Sequence, residues 1–399
     1  MKSIFILIIL SFFAGTIYSQ TFIKGKVTDA VTGKELPSVS IFINNSSIGT
    51  ISDEHGNFTL KVKTGQRLEI IASSIGYESV VENISPENIS QTLFIKMKQK
   101  SAEMEQVIVQ SYEKDGWNKW GKTFTDYLIG TGRSSAFCTI KNSNVVRFIF
   151  DKNSGMLTAF TSEPLIIENK YLGYQLVYDL QNFVFDQKNR TFFFLGFPFF
   201  KDINGTERKD RKWQERRQYA YEGSILHFMR ALYRNILTDE GFTMNILDRT
   251  VNKEKERIGA LYKKLMRPDG RVIIQNQDSF NYYGKILSES DSLDFIHPSS
   301  IASDSVAYGY DSTTTVFNFT GHLQITFNKK KEVPDGKSFY AHTYTWQKPK
   351  SIISFITAPS IFVYADGSYF EAANILNEGY WAWSEKLSNL LPTDYKYEK

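Results

Sequence analysis

The sequence predicts a mainly β protein with some α structure, in which an N-terminal antiparallel β-sandwich precedes an α+β domain. Two observations lead to this fold class. Short alternating apolar runs, separated by Gly, Asp, Asn and Pro, recur at nearly even spacing over residues 20–98, which is typical of a sandwich. From residue 113 onward, apolar residues at three- and four-residue steps alternate with strand-like runs, which indicates both helices and strands.

Residues 1–19 have the pattern of a secretory signal peptide. Lys2 precedes an apolar run at residues 4–13, which has the length of a signal-peptide core and falls short of the roughly 20 residues of a membrane span. Cleavage after Ser19 gives a mature chain that starts near Gln20. We therefore expect a protein exported through a cleaved signal peptide to the periplasm or the outer membrane. The alternative is an uncleaved membrane anchor.

Five strands are predicted in the sandwich, which spans residues 20–98. They lie at residues 22–27, 39–43, 58–62, 68–72 and 93–97. The intervening segments 29–33 and 53–57 contain Asp, Asn and Gly, which tolerate positive φ or close an Asx-turn. Pro37 favours an extended backbone ahead of the second strand.

The turns and strands of this region share a recognisable spacing. The pattern runs Gly25-x-Val27-x-Asp29, Thr32-Gly33-x-x-Leu36-Pro37-x-Val39, Gly49-Thr50-x-x-Asp53-x-x-Gly56-x-Phe58 and Gly76-Tyr77. It resembles the carboxypeptidase regulatory-like domain, a transthyretin-like sandwich common in envelope proteins of the Bacteroidota. The resemblance implies a fold and a place in the cell envelope. It implies no reaction, because the same module precedes receptors, peptidases and proteins of unknown role.

A second resemblance runs through the later residues. Its motifs are Trp117-x-x-Trp120-Gly121, Glu163-Pro164-Leu165-Ile166-Ile167-Glu168-Asn169, Leu172-Gly173-Tyr174, Trp213-x-x-x-Arg217, Gly223-Ser224-x-x-His227-Phe228-Met229-Arg230 and Gly379-Tyr380-Trp381. These are similar to a region of uncharacterised Bacteroidota envelope proteins that begin with the same module. The resemblance implies a location and assigns no catalytic residue.

Residues 99–112 are predicted to form a linker that contains a strand at 104–109, and residues 113–399 the α+β domain of unknown function. A helix is expected from Gly116 to Gly130 or Gly132, then a hairpin at 145–150 and 156–160, and strands at 174–180, 183–186 and 191–197. A long helix at 205–238 is expected to break at Gly223. The later strands are predicted at 257–265, 272–274, 316–319, 323–327, 339–345, 352–356, 361–364 and 368–370, and the end, 372–391, as partly helical.

The composition argues against several classes of protein. The 47 basic and 43 acidic residues give a net charge of +4 spread over 399 residues, so we expect no nucleic-acid partner for the chain as a whole. The single cysteine, Cys138, can form no internal disulfide, and its neighbours Phe137 and Thr139 indicate a buried small residue.

The motifs of common enzymes are missing from the sequence. No histidine has a glutamate three residues later, so the His-x-x-Glu ligand pair of a zinc carboxypeptidase is absent. The nucleophile elbow, the P-loop and the dinucleotide-binding glycine pattern are absent too. Two acidic pairs, Glu163 with Glu168 and Asp291 with Asp294, have spacings compatible with a glycosidase, and are more typical of strand ends and a polar loop. We expect no cofactor and no catalytic activity.

Two groups of residues are candidates for binding. The segment 208–217 carries six basic residues in ten, and its members Trp213, Arg216 and Arg217 could contact anionic lipid heads, lipopolysaccharide or an acidic partner. The other interpretation is a solvated helix face whose basic residues pair with Asp210 and Glu215.

The second group is a row of cationic residues at helical spacing. His227, Arg230 and Arg234 recur at steps of three and four, so they share one helix face, and they are suited to a carboxylate or a phosphate. The other interpretation pairs the row with an acidic neighbour, for which Glu222 or Glu168 is expected.

Exposed aromatic residues could also hold a glycan, with Trp346, Tyr380, Trp381 and Trp383 as candidates.

The sequence therefore predicts an exported cell-envelope protein that is a non-catalytic binding or assembly module. Its expected partner is an envelope protein or a glycan, with a peripheral contact to the outer membrane. The alternative is a carbohydrate-active or other hydrolase that uses carboxylates or the row of His227 and Arg230.

Overall fold

The computed structural model describes residues 20–63, 65–100, 112–266, 276–332 and 346–397. The predicted signal peptide, the predicted linker strand at 104–109 and the predicted strands at 272–274 and 339–345 lie outside these ranges. The structure is mainly β, with several antiparallel sheets and a smaller share of helix, as the sequence predicts. None of the helices within the described ranges is long and apolar enough to cross a membrane.

The N-terminal part is a sandwich of two sheets. The first sheet has the order β4 (Asn57–Lys63), β1 (Gln20–Asp29), β7 (Leu93–Met97), in which β1 and β7 run parallel. The second has the order β3 (Gly49–Ile51), β2 (Ser40–Ile43), β5 (Leu68–Ser73), β6 (Val80–Ile84). All five predicted strands are present. The edge strands β3 and β6 were missed because they bury few side chains and so lack the apolar alternation.

A six-stranded antiparallel sheet follows, covered by helix α1 (Gly116–Leu128). Its strands are β8 (Cys138–Ile140), β9 (Val146–Asp151), β10 (Met156–Thr161), β11 (Leu165–Asn169), β12 (Tyr174–Asp186) and β13 (Thr191–Asp202). The predicted helix, hairpin and strand pair are all found. The rings of Phe124, Phe148 and Phe183 pack edge to face in the core between α1 and the sheet, which fixes the helix on this face.

The long helix predicted at 205–238 is three helices: α2 (Glu207–Tyr221), α3 (Ile225–Tyr233) and α4 (Leu237–Glu240). The expected break at Gly223 is confirmed, because this residue has φ +80° and a Cβ there would lie 2.7 Å from the Phe327 ring. The Ser224 side chain then caps α3 by accepting a hydrogen bond from the His227 amide at 3.0 Å.

The last part contains two antiparallel sheets. The five-stranded sheet has the order β15 (Ser292–Ile301), β14 (Phe242–Val251), β18 (His322–Phe327), β19 (Lys350–Phe355), β22 (Ile375–Gly379). The four-stranded sheet has the order β16 (Ala307–Gly309), β17 (Thr314–Asn318), β20 (Ser360–Tyr364), β21 (Tyr369–Phe370). Helix α3 shares one core with both, in which Phe228 contacts Phe317 and Trp381.

The strand predicted at 257–265 is wrong, because these residues belong to helix α5 (Lys253–Leu265). Its apolar residues Ile258, Leu261, Tyr262 and Leu265 stand at steps of three and four, which is the helical period. The Asn252 side chain caps the helix through the Lys255 amide at 3.0 Å. Helix α6 (Gln277–Ser288) packs beside it, and the predicted helical end contains α7 (Tyr380–Ser384).

The sandwich docks on the six-stranded sheet through β2, β5 and β13. The Asn45 amide donates to the Pro198 carbonyl and the Phe200 amide to the Ser46 carbonyl, each at 3.0 Å. An apolar cluster of Phe42, Ile71, Phe197 and Phe199 fills the junction. Backbone hydrogen bonds and apolar burial therefore join the two parts.

Asp179 of β12 is the polar contact of this junction. It is buried, and its carboxylate accepts hydrogen bonds from the hydroxyls of Ser73, at 3.0 Å, and Ser79. We predict that Asp179→Ala lowers the free energy of unfolding by about 2 kcal/mol, because it leaves both hydroxyls without their acceptor. Asp304, which is exposed, is the matched control: Asp304→Ala should change the free energy by less than about 0.5 kcal/mol. Urea denaturation measures both, and equal effects would contradict the assignment.

Candidate functional site

Residues 385–397, here the C-terminal segment, cross the three parts of the fold. Its apolar residues Leu387 and Leu391 are buried in the core of the six-stranded sheet. The Leu387 amide donates to the Leu128 carbonyl at 3.2 Å, at the end of α1. The Thr393 amide donates to the Asn45 carbonyl of the sandwich at 2.7 Å. The segment therefore joins the sandwich to the α+β part without being helix or strand.

Arg230 of α3 binds the C-terminal segment through hydrogen bonds. Its side chain is buried, with Nε donating to the Asp366 carbonyl at 2.8 Å and Nη2 to the carbonyls of Thr393 and Tyr395, each at 2.9 Å. The guanidinium also lies 5.4 Å from the centre of the Tyr221 ring. Arg230 is thus a structural link between α3, the β20–β21 turn and the C-terminal segment.

An open cleft of about 700 Å³ lies between α3, the sandwich and the C-terminal segment. The structure brings His227, Arg230 and Arg234 together along it, as their helical spacing predicts. Its aromatic walls are Tyr221, Tyr395 and Tyr397, of which Tyr221 and Tyr397 stack with ring centres 4.6 Å apart. Cationic and aromatic groups therefore share one concave surface.

Three exposed cations on the cleft come from distant parts of the chain. Lys63 ends β4 in the sandwich, Arg234 follows α3, and Lys396 belongs to the C-terminal segment. Among the residues that the structure describes, none of the three has an ion-pair partner. Lys63 and Lys396 were not predicted as site residues, because only the tertiary fold brings them near Arg234.

The acidic residues on the same cleft have partners inside the protein. Glu240 lies 3.3 Å from His227 Nε2, and Asp366 accepts a hydrogen bond from Gln66 Nε2 at 2.8 Å. Asp394 accepts from the Ser47 amide at 2.8 Å and from its hydroxyl. These carboxylates therefore accept hydrogen bonds within the protein, whereas Lys63, Arg234 and Lys396 are exposed to a ligand.

His227 uses both ring nitrogens within the fold. Nδ1 accepts a hydrogen bond from the Gly223 amide at 3.2 Å, so the hydrogen lies on Nε2, which faces Glu240. The expected acidic partners were wrong. Glu222 instead accepts a hydrogen bond from the Tyr397 hydroxyl at 3.1 Å, and Glu168 lies 3.3 Å from Lys170 Nζ.

The basic segment 208–217 forms most of α2, and three of its side chains, those of Trp213, Arg216 and Arg217, face the protein. Trp213 is buried and donates from Nε1 to the Lys170 carbonyl at 3.0 Å. Arg216 lies 4.4 Å from the centre of the Tyr171 ring, and its Nη1 donates to the Tyr171 carbonyl at 3.2 Å. These two predicted binding residues are engaged with the turn that follows β11.

Arg217 completes the contact with this turn. Its Nε donates to the Leu172 carbonyl at 2.7 Å, Nη2 pairs with Asp202 at 2.8 Å, and the guanidinium lies 3.7 Å from the centre of the Tyr174 ring. A second cleft of about 460 Å³ lies beside it, lined by Arg211, Arg217 and Lys396 among others. The exposed basic residues of α2 are Arg208, Lys209, Arg211 and Lys212.

The acidic, thiol and aromatic candidates from the sequence have been placed by the fold as well. Asp294 lies in strand β15 and not in a loop, and a two-pronged hydrogen bond from Arg249, at 2.7 and 2.9 Å, lowers the pKa of its carboxyl. Burial raises the pKa of the Cys138 thiol to about 12, which disfavours the reactive thiolate. Trp381 is buried and Trp346 is exposed. Within the described ranges, no three His, Cys, Asp or Glu side chains are grouped to hold a metal ion.

Residues 23–109 match the family of the CarboxypepD_reg-like domain. The sandwich is a CarboxypepD_reg-like domain. The match covers the two packed sheets and agrees with the resemblance in the turn residues. The CarboxypepD_reg-like domain contributes Lys63 to the cleft and Asn45 to the contact with the C-terminal segment.

Solved structures give weaker likenesses. A protein from Bacteroides fragilis NCTC 9343, described as membrane-associated and of unknown function, is 10% identical over 88% of this chain and 99% of its own, with a TM-score of 0.17. A 9R-lipoxygenase from Cyanothece PCC8801 is 9% identical over 57% of this chain and 50% of its own, also with a TM-score of 0.17. These scores are too low to bear on fold or function. No curated protein is significantly similar to the chain.

A substitution at Gly173 tests the contact between α2 and the turn that follows β11. It has φ +73°, and a Cβ there would lie 2.2 Å from the Trp213 indole. We predict that Gly173→Ala lowers the free energy of unfolding by about 3 kcal/mol, since backbone strain and a ring clash add together. Gly33→Ala is the matched control, because Gly33 has φ +68° and nothing within 4 Å of the added Cβ, so it should cost about 1 kcal/mol. Equal losses in urea denaturation would show that Trp213 does not constrain this position.

Proposed function

We propose that this chain is a non-catalytic binding protein of the cell envelope, and that its cleft takes an anionic group of an envelope protein or a glycan. The observation that carries the proposal is the convergence of Lys63, Arg234 and Lys396 on one concave surface whose carboxylates accept hydrogen bonds from other groups of the protein. Export through a cleaved signal peptide, to the periplasm or the outer membrane, belongs to the same proposal and rests on the pattern of residues 1–19.

The chemistry of the cleft favours a carboxylate or a phosphate on a ring-shaped or chain-like carrier. A lysine or arginine donates charge-assisted hydrogen bonds to the oxygens of these groups. Such hydrogen bonds are about twice as strong as those between neutral groups. Tyrosine rings offer flat apolar faces together with a polar hydroxyl. An acidic sugar presents both a carboxylate and a face of C–H groups, so it fits the cleft better than a neutral sugar.

A hydrolase remains the second candidate, because His227 and Glu240 line the cleft 3.3 Å apart. The geometry favours binding over catalysis, since His227 Nδ1 already accepts the Gly223 amide and Nε2 faces Glu240. A general base needs a free lone pair within reach of its proton. Release of products from peptides or glycans that is lost in Glu240→Gln would favour the hydrolase.

Calorimetry with a matched pair of ligands tests the binding site. We predict that the protein binds digalacturonate or inorganic phosphate and does not bind the neutral galactose disaccharide. The triple variant Lys63→Ala, Arg234→Ala, Lys396→Ala should weaken the anion affinity at least tenfold, because each lost charge-assisted contact is worth about 1.5 kcal/mol or more.

The control variant removes three positive charges that lie outside both clefts: Lys114→Ala, Lys152→Ala and Lys264→Ala, all at exposed positions. It should retain the affinity of the unaltered protein within about twofold, since distant surface charges are screened by salt. An equal loss in both variants would point to general charge attraction. Absence of binding to both anions would overturn the proposed cleft.

A further inference from the structure

The outward face of the β4–β1–β7 sheet is strongly basic. Alternate residues of β4 are buried and exposed in turn, and the pairing register places the exposed residues of all three strands on one side. Phe22 stands opposite Lys61, Lys24 opposite Thr59, and Lys26 opposite Phe94. The lysines on this face are Lys24, Lys26, Lys61, Lys63 and Lys96.

Carboxylates are nearly absent from this face. The only acidic residue in the three strands is Asp29, which is buried at the end of β1. Glu35 reaches the border of the face and pairs with Lys26 at 2.5 Å. The lysines of this sheet face therefore repel one another, and an anionic surface would relieve that repulsion.

Two phenylalanines stand exposed among the lysines. Phe22 is 55% and Phe94 is 72% exposed, whereas the inward residues Ile23, Val27 and Ile95 are fully buried. An apolar ring surrounded by cations is the arrangement by which peripheral proteins enter the boundary between headgroups and acyl chains. Lysines on edge strands also prevent unwanted strand pairing, but Lys24 and Lys26 belong to β1, the central strand.

We infer that this face docks on an anionic lipid surface. The lysines contact the phosphate groups of the lipids, and the rings of Phe22 and Phe94 enter the interfacial layer. The exposed side chains of the three strands share one face of the sheet, so they can reach a bilayer together. The inference goes beyond the proposed cleft and does not rest on it, because Lys24, Lys61 and Lys96 do not line the cleft.

Vesicle sedimentation with the chain from Gln20 onward tests the inference. The protein should sediment with vesicles of equal parts phosphatidylglycerol and phosphatidylcholine and stay in solution with phosphatidylcholine alone. Binding should fall as salt is raised, since the attraction is screened. The triple variant Lys24→Gln, Lys61→Gln, Lys96→Gln should lower the partition coefficient about a hundredfold, at about fivefold per lysine.

Two further variants make the result specific. Phe22→Ser with Phe94→Ser keeps the charge and should lower the partition coefficient about tenfold or more, because the apolar anchors are lost. The control, Lys114→Gln, Lys152→Gln, Lys264→Gln, makes the same change in charge at exposed positions elsewhere and should bind as the unaltered protein does. Equal loss in the control, or equal binding to both kinds of vesicle, would overturn the inference. Binding of an acidic oligosaccharide but not of vesicles, lost in the lysine variant, would overturn the lipid assignment.

Discussion

The buried guanidinium of Arg230 is the interaction on which the assembly of this fold depends. The C-terminal segment has no regular secondary structure at Thr393 and Tyr395, so their carbonyls need donors from elsewhere. A guanidinium offers five N–H groups in a planar fork, and Arg230 uses it for these two carbonyls and that of Asp366. Carbonyl oxygens in turn stabilise the buried charge, which would otherwise be costly.

The cleft follows from this arrangement. Lys63, Arg234 and Lys396 belong to the sandwich, to the end of α3 and to the C-terminal segment, which are held together by that segment. Although the chain carries nearly equal numbers of basic and acidic residues, the two kinds of charge are distributed differently. Acids such as Asp294 and Asp394 are engaged within the protein, while lysines and Arg234 gather on the cleft and on the outer sandwich face.

The sequence predicts those helices and strands that are marked by a local pattern of apolar and turn residues. Alternation and turn residues locate the strands of the sandwich, and the Trp and Phe spacing locates α1. Helix α5 was misassigned because its alternating charges hid a helical period, and the β14–β15 pair was missed because its outer half is exposed on both strands. The helical row of His227, Arg230 and Arg234 was found, but its partners were not. Those of Arg230 are backbone carbonyls more than a hundred residues away, and no side-chain pattern in the sequence marks them.

Hydrogen exchange of the C-terminal segment tests the central role of Arg230 most directly. Peptides covering residues 385–397 are compared in the unaltered protein, in Arg230→Ala and in Arg234→Ala, with peptides from β12 as an internal reference. Loss of the Arg230 contacts should speed exchange of the Thr393 amide while β12 stays protected, and Arg234→Ala should leave the segment protected. Unchanged protection of the segment in Arg230→Ala would contradict the structural role of Arg230, because the segment would then be held without the guanidinium.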